Sequence, residues 1–90
     1  MVKAIRITET GKANVMKFVD VELKSLAPNE VLIKNKAIGL NYIDVYHRSG
    51  TYPLPLPTGI GLEAAGLIED VGSAVTEFKV GDRVAHAAAP

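Results

Sequence analysis

The chain has ninety residues, 48% apolar and 22% charged, with ten Lys and Arg against ten Asp and Glu. That length supports one domain of modest stability, and the composition belongs to a folded globular protein. Zero net charge with scattered basic residues leaves no electrostatic case for nucleic acid or an anionic membrane face, and the lack of cysteine excludes disulfides, thiolate zinc sites and a cysteine nucleophile.

No run approaches the roughly 18 apolar residues of a membrane span. The start, Met1 to Ile7, lacks the long apolar core of a signal peptide. A soluble, cytoplasmic chain is the expectation.

Val2 to Ile7 is a short β-prone run, and Thr10 to Asn14 reads as a turn. From Lys17 to Leu23 the alternation places Val19, Val21 and Leu23 on one face and Asp20 and Glu22 on the other, a half-buried strand. Ala27-Pro28-Asn29-Glu30 breaks it, and Val31 to Leu40 predicts a longer strand. Asn41 then offers a helix cap, with Asp44 three residues on. His47 and Arg48 suit the C-terminal end of a two-turn helix, and Gly50 can end it in the left-handed conformation. Ile43, with Tyr42 or Tyr46, is the expected packing face.

Pro53, Pro55 and Pro57 alternate with leucines, which predicts an extended, irregular segment. Leu67 to Val71 resumes β character after the small residues Ala64-Ala65-Gly66. Turns at Val71 to Val75 and Val80 to Val84 follow, and a last strand starts near Asp82. Short strands, frequent Gly and Pro turns and one short helix predict a mostly β barrel or sandwich.

Gly59-Ile60-Gly61-Leu62-Glu63-Ala64 matches the letters of a dinucleotide fingerprint. That site needs a strand before the glycines and a helix after them, so that the helix N-terminus meets the pyrophosphate. A proline-rich run precedes here and a β-prone run follows, so the match is a coincidence of spelling. Asp44, His47 and His86 are too few for a zinc centre. Glu63, between Leu62 and Ala64, must be hydrogen-bonded if buried, and a structural role suits it better than acid–base work. Tyr42, Tyr46 and Tyr52 crowd one segment with Asn41. They fit an aromatic or carbonyl ligand, or simply aromatic packing at a barrel edge.

Ala37 to Asp44, Arg48-Ser49-Gly50, Tyr52-Pro53, Gly59 to Gly66 and Val80 to Val84 together resemble the medium-chain dehydrogenase/reductase superfamily. Within it, they are similar to the zinc-independent NADPH:quinone oxidoreductase (zeta-crystallin-like) branch. The resemblance implies that residues 1–90 are an incomplete GroES-like catalytic domain: mostly β, one short helix, part of the barrel. The Rossmann domain that binds most of the NADPH would follow Pro90. It implies no zinc, since Asn41 stands where zinc alcohol dehydrogenases carry a cysteine ligand and Leu62 where they carry a histidine beside the glutamate. Asn41, Tyr42, Asp44, Tyr46 and Tyr52 would face quinone or cofactor, with Glu63 structural near the site and no catalytic residue in this chain.

A quinone is already a good hydride acceptor, so positioning can replace the Lewis acid that alcohol oxidation needs. The isolated chain would lack the cofactor domain and transfer no hydride, and its open barrel edge would invite self-association. The family is typically dimeric. A free-standing GroES-like barrel serving binding or assembly is the alternative reading.

Overall fold

The computed structural model describes residues 2–87. In chain order the elements are strand β1 (Val2–Ile7), a single 3-10 turn at Ala13–Val15, β2 (Lys17–Val21), β3 (Val31–Ile38), helix α1 (Tyr42–Ser49), β4 (Thr58–Gly59), β5 (Glu63–Val71) and β6 (Arg83–Ala87). They belong to two compact units, one made of Met1–Leu23 with Leu40–Gly61, the other of Lys24–Gly39 with Leu62–Pro90.

The first unit carries a three-stranded antiparallel sheet in the order β2-β1-β4. Val2 pairs with Val21 and Arg6 with Lys17, and Ile7 then pairs with Thr58 of β4. Ile7 is fully buried and Val15 from the 3-10 turn is nearly so. The alternation anticipated on β2 holds at Val19 and Val21, which are half-buried. It stops there. Leu23 lies outside the strand and is largely exposed.

Helix α1 follows its local signals. Asn41 holds an extended cap conformation, and Gly50 closes the last turn at φ 89°, with its N–H donating to the Tyr46 carbonyl at 3.1 Å. A side chain is strained at that φ, which is why glycine suits the position. Arg48 secures the helix end to the turn after β1: its Nε donates to the Gly11 carbonyl at 3.1 Å, and the Gly11 N–H donates to the Arg48 carbonyl at 2.9 Å. The expected packing face is corrected, however. Ile43 is only half-buried, Tyr42 and Tyr46 are exposed, and the buried helix residue is Asp44.

The second unit is a three-stranded antiparallel sheet with β5 between β3 and β6. Val31 pairs with Val71 and Ile38 with Ala64, with irregularities between Leu32 and Ile33 and between Asn35 and Ala37. β5 starts at Glu63, four residues before the anticipated Leu67, so Ala64-Ala65-Gly66 lie inside the strand. The reason is steric. β3 passes so close at Gly66 that a side-chain carbon there would run into the Lys34 carbonyl, and only glycine fits. Ala64, Gly66 and Ile68 form the buried alternate row of β5. β6 pairs along it from Glu63 with Ala87 to Leu67 with Arg83, as the last predicted strand requires.

The glycines of the apparent fingerprint lie in β4 and the loop to β5. No helix follows them, so the phosphate-binding context is absent among the described residues, as the sequence context implied.

Candidate functional site

Five of the six residues singled out in the sequence lie in the first unit, on α1 and its flanks. The Asp44 N–H donates to the Asn41 carbonyl at 3.0 Å, and the Asn41 N–H donates back to Asp44 Oδ2 at 2.9 Å. This reciprocal pair satisfies helix-end groups that would otherwise lack partners. Asp44 is 3% exposed. Its other oxygen, Oδ1, is buried and has no partner among the described residues.

Asn41 and Tyr42 are exposed, Tyr42 at 83% and the preceding Leu40 at 85%. Leu40, Asn41, Tyr42 and Val45 line an open hollow of about 290 Å³. It offers apolar walls, one phenol and one carboxamide that both donates and accepts. A flat carbonyl-bearing ring could lie there.

At the other end of the helix, Gly50 turns the chain back and the Tyr52 N–H donates to the Tyr46 carbonyl at 3.2 Å. This brings Tyr52 beside Tyr46, with ring centroids 5.4 Å apart and the planes at 87°. Such an edge-to-face pair stabilises both rings while leaving each partly exposed. Of the three tyrosines crowded in this segment, Tyr46 and Tyr52 form the ring pair.

Glu63, the sixth residue, belongs to the second unit. It opens β5 and is exposed, so the carboxylate considered for burial is not buried. Its side chain lies against Gly39, whose N–H donates to the Glu63 carbonyl at 3.3 Å. Glu63 and His86 both border a second hollow of about 380 Å³, with Ile38, Gly39, Ala64 and Ala85. His86 Nδ1 is buried there without a partner among the described residues. Among the described residues, no three His, Asp or Glu side chains gather as metal ligands would.

Leu40 and Val45 were not anticipated as lining residues. Their signal was available: apolar positions flanking a helix cap, one of them just before the helix and the other one turn in. No helix among the described residues is long and apolar enough to cross a membrane.

Residues 27–89 match the family described as the alcohol dehydrogenase GroES-like domain. A quinone oxidoreductase of Pseudomonas aeruginosa is 52% identical over 91 residues, covering all of this chain and 28% of that protein. The crystal structure of the quinone oxidoreductase of Pseudomonas syringae pv. tomato superposes with a TM-score of 0.96 at 52% identity, over all of this chain and 28% of that one. The Escherichia coli quinone oxidoreductase, crystallised with NADPH, superposes with a TM-score of 0.95 at 44% identity, over 99% of this chain and 28% of that one. The chain thus spans little more than a quarter of the length of the relatives it matches. With the fold and these likenesses together, the chain belongs to the alcohol dehydrogenase GroES-like domain family.

Proposed function

We propose that these residues are the N-terminal, substrate-facing part of a zinc-independent quinone oxidoreductase that passes hydride from NADPH to a quinone. The observation that carries this reading is the open hollow of Leu40, Asn41, Tyr42 and Val45 at the start of a helix capped by Asp44. The likeness to quinone oxidoreductases, one of them crystallised with NADPH, supports the choice of substrate and cofactor.

The residues fit such a pairing. A bound nicotinamide supplies the hydride chemistry. In this reading, the exposed Asn41 carboxamide holds a carbonyl or amide edge, while Leu40, Val45 and the Tyr42 ring give an apolar seat for a flat ring. The Tyr46–Tyr52 pair presents a rigid aromatic edge with two hydroxyls. Orientation is then the main contribution of this segment, because a quinone accepts hydride without a metal to polarise it. The non-metal reading rests on residue chemistry: Asn41 and Leu62 are poor zinc ligands, and the chain has no cysteine. Most of the cofactor would be held outside these ninety residues.

The test is NADPH oxidation with 1,4-benzoquinone by the polypeptide that carries these residues in its cells, after its intact mass is measured. Quinone-dependent NADPH consumption is expected, and Asn41→Ala should lower kcat/KM about tenfold through lost positioning. No consumption, or unchanged kinetics in the variant, overturns the reading. The ninety residues alone should be inactive.

A further inference from the structure

Asp44 is the outlier among the five residues of the helix segment. Asn41, Tyr42, Tyr46 and Tyr52 are all exposed, yet Asp44 is 3% exposed. Asp44 is not among the residues that line the hollow of Leu40, Asn41, Tyr42 and Val45. The one hydrogen bond to its carboxylate among the described residues runs from the Asn41 backbone N–H, at 2.9 Å. Burying a carboxylate is costly, and here the burial serves a single donor, the one that fixes the residue at the mouth of the hollow.

We propose that Asp44 is a positioning residue that acts on the substrate through Asn41. Its carboxylate holds the Asn41 backbone in the extended cap conformation, φ −129° and ψ 157°, and so aims the Asn41 side chain. A shift of an ångström in that carboxamide is enough to cost a large part of the rate. The helix itself depends less on Asp44, because Gly50 and the Arg48–Gly11 bonds secure its far end independently. The inference rests on the reading of the hollow as the quinone site.

The test is a double-mutant cycle in the complete polypeptide, reading kcat/KM for 1,4-benzoquinone in the wild type, Asp44→Ala, Asn41→Ala and the double variant. Asp44→Ala should lower kcat/KM roughly tenfold, and should add less than about twofold once Asn41 is already alanine. Equal losses in both backgrounds would make Asp44 a purely structural residue and overturn the proposal. An Asn41→Ala variant with wild-type kinetics would instead sink the reading of the hollow itself, a distinguishable failure. Asp44→Asn keeps an acceptor for the Asn41 N–H and guards against a misfolded alanine variant. It should retain most of the activity, and a loss as large as that of Asp44→Ala would show that the negative charge, rather than the cap, is what matters.

Discussion

The two units are held together in different ways. The first adds specific side-chain contacts to the ladders along β1: fully buried Ile7, the Arg48 clamp on Gly11 and the Tyr46–Tyr52 pair. The second relies on the backbone, with long ladders on both sides of β5 and small residues that let the strands approach. The proposed site lies in the first unit, on α1 and its flanks. A site of the kind proposed, presenting Asn41 and three tyrosines, would need polar groups fixed in place, and helix caps do that locally. Two of the three residues in the buried row of β5, Ala64 and Gly66, have little or no side-chain bulk, so only Ile68 fills space there and the strands can approach closely.

The largest expected effect tests the first half of that contrast. Ile7→Ala removes the only side chain that is fully buried among the described residues and should cost about 4 kcal/mol. Urea unfolding of the complete polypeptide gives the magnitude. Hydrogen exchange should place the loss of protection in β1, β2 and β4, and equal losses in β3, β5 and β6 would dissolve the distinction between the units.

Gly66→Ala tests the second half. The added methyl meets the Lys34 carbonyl, which is backbone and cannot swing aside, so a cost of about 2–3 kcal/mol is expected despite the single added carbon. A neutral urea midpoint would mean that the strands part easily, and that the small-residue row has another cause. The smallest effect belongs to Lys3, which meets Asp20 at 2.6 Å and stands 5.7 Å from the centre of the Phe18 ring. Both partners of the ion pair are about half exposed, so Lys3→Ala should cost under about 1 kcal/mol, and less in high salt. A loss approaching that of Ile7→Ala would show that surface contacts matter in the first unit as much as Ile7 does.

What was legible in the sequence was local. The cap at Asn41 with Asp44, the stop at Gly50, the irregular proline run, the strand at Val2–Ile7 and the start of the strand at Val31 each follow from rules that act within a turn or along one strand, although β3 ends at Ile38 and not at the expected Leu40. The spelling of a nucleotide fingerprint could also be set aside from its neighbours alone. The resemblance that pointed to a GroES-like domain rested on short segments such as Ala37 to Asp44, read directly from the chain.

The remainder was decided by residues far apart in the chain. Nothing near Ala64-Ala65-Gly66 marks them as strand, because the approach of Lys34 that requires glycine comes from thirty-odd residues away. Helical periodicity could not pair Tyr46 with Tyr52, since the pairing depends on the turn made by Gly50. A carboxylate in a helix first turn reads as an exposed cap from sequence. Only packing could bury Asp44 and leave the neighbouring tyrosine in solvent, because burial depends on which face the rest of the unit covers.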